Sequence, residues 1–398
     1  MKRLLRVSLD AAIFSFIPII SWFLLGILVD ENLINVFSLT YPIQFIYALM
    51  KSIFGVGANI SKEKDKDKNV VMSGIVLGII IGFIVFGFIA INIDSYIKFM
   101  NMDPNIYHTF GLYSVIQLYI QLIFALILEK LYYEEKNKLA NIYTIILNLL
   151  NFVVLIVSSL IFENQTYIII TTLLSILICV VIMLIREFDK FKFNINIIKC
   201  IKYDSVDIVN NIFFFIIFLF GLSNAIQYGQ EYMMALNFVA LITDTQWDAF
   251  DAISTVAKID ISKGKFNYLE HRKNGYKLLI VMLLSVFLMF IIMCNFYTLD
   301  IKLTFIYLAF ELVNFMIYPI YRLKTCFLQL EYSTIKITTN KFVASTLRTF
   351  LSFLKTPFCT GIGQCCSSLY QFITTSIIFK LNYKVNKKGY IEKTIRKI

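Results

Sequence analysis

Charge is scarce in this sequence. Of its 398 residues, 16% are Asp, Glu, Lys or Arg and 59% are hydrophobic. One water-exposed fold cannot bury that much apolar surface, so lipid has to serve as part of the solvent. Histidine is nearly absent. His108 and His271 both sit near loop ends, which argues against a histidine-based intramembrane protease or metal site. No GxxxxGKS or GxxxxGKT segment occurs, so the chain does not hydrolyse ATP through a phosphate-binding loop. Coupling, if present, has to come from an ion gradient. The seven cysteines (Cys179, Cys200, Cys294, Cys326, Cys359, Cys365, Cys366) are odd in number and lie mostly in or beside apolar runs, so no disulfide framework is expected. The adjacent Cys365 and Cys366 lack zinc-ligand spacing. Lys2, Arg3 and Arg6 precede an apolar run with no small-residue cleavage site after it, and the run reads as an uncleaved first helix.

What is abundant is the apolar run long enough to cross a bilayer, roughly 20 residues as a helix. Runs bounded by charges fall near 9-29, 33-60, 70-94, 107-129, 138-162, 166-185, 206-228, 231-257, 275-296, 301-321, 334-354 and 362-382. The expected fold is therefore all-α, a polytopic membrane protein of twelve transmembrane helices. The formal charge of +11 is spread over short loops between these runs and not gathered on one solvated face, which excludes nucleic acid as a partner. Lys and Arg alternate between abundant and scarce from loop to loop. The N-terminus, Lys62-Lys68, Lys130-Lys138, Arg186-Lys202, Lys258-Lys277, Arg322-Lys324 and the tail after Lys380 are basic. An even number of spans with both termini in the cytoplasm satisfies this pattern and predicts a multi-pass protein of the cell membrane. The alternating charges of Lys62-Lys68 read as a solvated hairpin and not as a metal cage.

Sliding the chain against itself near an offset of 200 aligns Ser52-Ile53-Phe54-Gly55-Val56-Gly57 with Ala252-Ile253-Ser254-Thr255-Val256-Ala257, and Ile60-Ser61-Lys62 with Ile261-Ser262-Lys263. Leu131 and Glu134 similarly fall on Leu328 and Glu331. Two six-helix pseudo-symmetric lobes in one orientation are predicted, 1-202 and 203-398, because six spans return the chain to its starting side. Their interface offers a place where a solute can sit and about which the halves can rock.

These residues resemble a known family. The twelve spans, the two halves, the second span closing with Ser52 to Ser61 before a charged loop, Met102-Asp103-Pro104 before the fourth span, and Asn148-Leu149-Leu150-Asn151 in the fifth look like the multidrug and toxin extrusion (MATE) transporters of the MOP flippase superfamily. The resemblance implies a pair of six-helix lobes that exports amphipathic, often cationic compounds in exchange for sodium or protons. The sequence departs from the family in having no acid between Asp10 and Asp30 in the first helix, which puts a cation site in the first lobe in doubt.

A charge at bilayer depth costs about 2.5-3.5 kcal/mol on insertion scales unless it is paired or meets water, so such residues mark candidate sites. In the eighth span, spacings of four, three, four and three place Asp244, Asp248, Asp251, Thr255 and Lys258 on one helical face. Stacked carboxylates repel, so at least one is expected to bind a cation, hold a proton or meet a base, with Asp248 and Asp251 as the candidate sodium ligands. The alternative puts Asp244 at the outer water boundary, with Asp248 and Asp251 buried and structurally paired. Glu311 with Asn314 in the tenth span is a second candidate, either a coupling site or an acid bonded to a neighbouring helix. By the repeat, Gln44 corresponds to Asp244 and Lys51 to Asp251, and Lys51 is expected to meet Asp251 or Asp248 between the halves in at least one state. Thr334, Thr338, Lys341, Ser345 and Arg348 form a polar stripe on the eleventh span, which either lines a cleft or lies partly at the interface with its bases snorkelling.

The function expected is a cation-coupled (Na+ or H+) secondary active transporter exporting small amphipathic compounds by alternating access, with no catalytic residues and no cofactor beyond the coupling ion. A monomer working on a small-molecule substrate in the lipid bilayer is expected. A lipid-linked oligosaccharide flippase of the same superfamily is the nearest alternative. A membrane-embedded transferase would need a clustered acid, histidine or metal motif that the sequence lacks.

Overall fold

The computed structural model describes residues 1-13, 36-66, 69-100, 103-228, 230-296 and 300-394. Within these, the side chains of 36-38, 41, 218-227, 230, 233, 234, 237, 241, 244 and 292-296 are outside the description. The expected first span, 9-29, lies largely outside the described residues. Helix α1 is followed over residues 2-13.

The chain is helical almost throughout. After α1 come α2 (Val36–Met50), a π-helical segment (Lys51–Gly57), α3 (Ala58–Asp65), α4 (Val70–Ile91), α5 (Ile93–Phe99), α6 (Pro104–Tyr133), α7 (Asn137–Ile161) and α8 (Gln165–Glu187). They are followed by α9 (Ile197–Tyr228), α10 (Gln230–Ser262), α11 (Tyr268–Phe296), α12 (Ile301–Glu331), α13 (Thr334–Ser352) and α14 (Cys359–Asn382). A short antiparallel hairpin, β1 (Tyr383–Val385) and β2 (Ile391–Lys393), closes the described chain. Among the described residues, seven helices are long and apolar enough to cross a bilayer.

Local chemistry sets the helix starts. Pro104 opens α6 where its missing N–H costs nothing, and the Asp103 carboxylate caps the helix by accepting from the Asn105 N–H at 2.9 Å. Asn164 caps α8 and Asp300 caps α12 in the same way. Between helices, Lys136 donates to Glu134 at 2.8 Å, and this bond raises the lysine's pKa from its ordinary value.

Two compact units follow from the packing, one of residues 12-204 and one of residues 1-11 with 205-398. The backbone of α9 leaves helical geometry at Asp204, the last residue of the first unit. The first unit is cored by Leu39, Ile43, Phe54, Ile75, Phe110 and Leu126. A Cβ at Gly57 would overlap the Cys200 carbonyl, and one at Gly74 would come within 2.7 Å of the Phe54 carbonyl, so the helices meet backbone to backbone. In the second unit Val206, Leu328, Ile337 and Phe379 pack together. Outward faces carry exposed apolar residues such as Phe83, Phe88, Ile182, Leu284 and Ile373, which suits contact with lipid. The chain is a multi-pass membrane protein.

Of three segments expected to be basic loops, Arg322-Lys324 is wholly helical, and Lys130-Lys138 and Lys258-Lys277 keep only short connections at 134-136 and 263-267 between helices. Lys130, Lys258 and Arg322 are buried within α6, α10 and α12, because each helix runs a turn or more past its apolar stretch and each base finds an acceptor inside. In the Lys62-Lys68 stretch, residues 62-65 form the last turn of α3, where Asp65 accepts from Ser61 at 3.0 Å and Lys199 at 3.2 Å.

Candidate functional site: buried charges of the second unit

Asp207 lies one turn beyond the break in α9, and both its carboxylate oxygens are used. Oδ2 accepts from Lys258 of α10, and Oδ1 accepts from Arg322 of α12 at 2.5 Å. The Arg322 guanidinium also reaches Asp251 Oδ1 at 3.5 Å, to which the Tyr318 hydroxyl donates at 2.9 Å. Lys258 and Arg322 expose 3% and 8% of their side chains, so the pairing offsets a desolvation that neither base could bear alone. Three helices are thus tied by one acid between two bases.

Toward the N-terminal end of α12, Glu311 Oε2 accepts from the Trp247 indole N–H at 2.8 Å and from the Gln364 amide at 2.9 Å. Gln364 in turn accepts from Arg348 at 2.9 Å, and the Arg348 guanidinium lies over the Phe214 ring, 4.5 Å from its centroid. Trp247 is fixed by stacking on Phe315 at 4.3 Å, with Phe250 and Tyr318 against its edges. Asn314, one turn from Glu311, donates to the Phe310 carbonyl, and its own buried Oδ1 has no hydrogen-bond partner. A buried amide oxygen without a hydrogen-bond partner, one turn from a carboxylate on the same helix, is an oxygen ligand of the kind a small cation takes.

The residues singled out from sequence divide as follows. Asp248 and Asp251 are exposed, the latter with 52% of its side chain accessible, and Thr255 is half-buried on the same helix. The side chain of Asp244 lies outside the described residues. Gln44 is half-buried on α2. Lys51 pairs with Glu129 of α6 at 3.4 Å, and the Glu129 side chain is only 2% exposed. The π-helical segment begins at Lys51, and Gly55 within it admits the Glu129 side chain at close range. Each unit therefore joins its helix of the 52-57/252-257 repeat to its long helix of the 131/328 repeat by an ion pair, with the signs exchanged: Lys51 to Glu129 in one, Asp251 to Arg322 in the other.

Sequence reasoning missed Asp207, Glu129 and the role of Arg322. Their signal was present as charges at the ends of apolar runs: Glu129 closes the expected span 107-129, Asp207 opens 206-228, and Arg322 read as a loop residue. Two further polar features stand apart from these clusters. Gln117, Gln121, Asn148 and Asn151 line a small cavity among α6, α7 and α8. Arg3 donates to Asp260 at 2.6 Å, and His271 meets the same carboxylate at 2.9 Å, fastening the start of the chain to the second unit.

No family model matches the sequence, and no curated protein matches it. Solved structures do match. One described as MATE in the straight conformation aligns with a TM-score of 0.70 at 14% identity, covering 95% of this chain and 96% of the other. An outward-facing multidrug resistance MATE transporter of the MOP superfamily aligns with a TM-score of 0.68 at 14% identity over the same shares. A MOP superfamily transporter from Pyrococcus furiosus, described by the reverse polarity of its binding pocket, aligns with a TM-score of 0.66 at 14% identity over the same shares. The fold of this chain is that of the MATE transporters of the MOP superfamily.

Proposed function

We propose that this chain is a secondary active transporter that exports small amphipathic compounds, driven by a sodium or proton gradient. The fold supports transport, and the chemistry of the second unit supports cation coupling. The observation that carries the reading is the carboxylate set Asp207, Asp251 and Glu311, held among helices by bases and neutral donors. A cation or proton arriving at Asp251 competes with Arg322, which is shared between Asp251 and Asp207. Occupancy then changes how tightly α10 is tied to α12, and a ligand that favours one arrangement shifts the population toward it. Glu311 with the orphaned Asn314 oxygen is the better candidate for bound sodium, since it supplies two oxygen types one turn apart. Asp248, exposed on the same helix as Asp251, is the entry point in this reading.

Uptake of a fluorescent amphipathic dye into proteoliposomes, under separately imposed sodium and proton gradients, tests the reading. One gradient should drive accumulation and the other should not. Equal dye entry with and without either gradient would refute coupling.

A further inference from the structure

Between Glu331 and Glu392 the sequence contains no Asp or Glu, while Lys336, Lys341, Arg348, Lys355 and Lys380 all occur there. This acid-free stretch is α13 and α14, an antiparallel helical hairpin of the second unit. Its seam is lined by donors. Lys341 of α13 faces Gln371 of α14 at 3.3 Å, and two turns away Arg348 faces Gln364 at 2.9 Å. Ser345 lies between the two bases on the same face and is buried, as are Ser367 and Gln371 opposite.

Lys341 differs from the buried bases Lys258, Arg322 and Arg348 of the unit, and shares the lack of a carboxylate partner with the half-buried Lys324, which donates to Ser376 at 3.0 Å. Lys258 and Arg322 hold carboxylates, and Arg348 reaches Glu311 through Gln364. Among the described residues Lys341 has only the neutral Gln371 carbonyl oxygen as a hydrogen-bond partner. The acids that act on it are Asp207 and Asp251, each already engaged by Lys258, Arg322 or Tyr318, and the bases Arg322 and Arg348 act on it as like charges. A half-buried lysine in membrane surroundings with no acid of its own is costly to keep charged unless a ligand supplies an anion.

We propose that the second unit takes the anionic head group of an amphipathic compound at Lys341, with the Ser345 and Gln371 side chains as additional hydrogen-bond donors. This rests on the transport reading above and names its substrate class: a phosphate, sulfonate or carboxylate on an apolar body. The neutral amide at Gln371 holds the ammonium in place when the site is vacant and releases it when a stronger acceptor arrives. A cationic compound would meet Lys341, Arg322 and Arg348 together and be repelled.

Binding to the purified full chain in detergent, without any gradient, provides the test. Two probes share one fluorescent aromatic body and alkyl chain; one ends in a sulfonate and the other in a quaternary ammonium. The sulfonate should bind more tightly by about tenfold. Lys341→Gln should remove most of that difference, Lys341→Arg should keep it, and Lys336→Gln on the same helix should leave it unchanged. Displacement by a short alkyl phosphate would identify a free compound as the source of the anion, and displacement by a polyprenyl phosphate alone would identify a lipid-linked one. Stronger binding of the ammonium probe, no displacement by either phosphate, or equal losses in the Lys336 and Lys341 variants would overturn the proposal. The two readings fail separately. Sulfonate binding without gradient-driven flux would sink transport and leave the site, whereas driven flux of the ammonium probe alone would sink the site and leave transport.

Discussion

Asp207→Asn is the sharpest perturbation of the second unit. The carboxylate takes a hydrogen bond from each of two bases that are themselves almost fully buried, Lys258 and Arg322. The amide that replaces it is nearly the same size, so packing is kept and only the charge is lost. Removing one partner of a buried ion pair costs roughly 3-5 kcal/mol, because the charge left behind remains desolvated. Arg322 retains Asp251 at 3.5 Å, so Lys258 bears most of the loss. For a folding unit of this size, each kcal/mol lowers the melting temperature by about 2-4 °C, which gives a drop of roughly 6-20 °C. The assay is thermal unfolding of the detergent-solubilised chain, followed by the surviving monodisperse fraction. Adding Lys258→Met in the Asp207→Asn background removes the stranded ammonium and should recover about half the loss. For comparison, Asp94→Asn breaks the exposed pair with His108 and should cost about 0-1 kcal/mol. Melting of Asp207→Asn within a degree or two of the parent, or a double variant less stable than the single, would refute the assigned network.

Other expectations follow from particular contacts. Gly57→Ala places a methyl group against the Cys200 carbonyl, so the yield of folded, monodisperse protein should collapse, and a parent-like yield would show that α9 can move aside. Lys51→Met withdraws the ammonium from the buried Glu129, destabilising by roughly 3 kcal/mol, and Glu129→Gln in the same background should restore most of it when melting is compared. Trp247→Phe keeps the stack on Phe315 but removes the N–H bonded to Glu311, costing about 1-3 kcal/mol and changing the cation concentration that half-saturates flux; unchanged saturation would separate Glu311 from coupling.

The all-α membrane architecture was legible in the sequence because apolar runs of bilayer length are a strong, local signal. Described helices such as Val70–Ile91, Asn137–Ile161 and Gln165–Glu187 fall close to the expected spans. The π-helical turn at Lys51 was not foreseen, since one extra residue in a turn leaves no mark on hydropathy. The partners of charges were the harder part. Helical spacing grouped Asp248, Asp251 and Lys258 on one face of α10, but it carries no information about which other helix faces them. Lys258 thus finds Asp207, 51 positions away, and Arg322 finds the same acid from 115 positions away. Such pairings depend on how helices pack, which periodicity along one helix does not encode. The internal repeat came closer, since it matched Lys51 with Asp251, and those residues hold ion pairs of exchanged sign inside their own units.

Coupling through intramembrane carboxylates is the central claim, and dye flux by the parent and Asp251→Asn, measured in proteoliposomes under the driving gradient, tests it most directly. The parent should accumulate dye in proportion to the gradient, while the variant should fold, reconstitute and lose the gradient-dependent part. Flux by Asp251→Asn that rises with the gradient as steeply as the parent's would contradict the account.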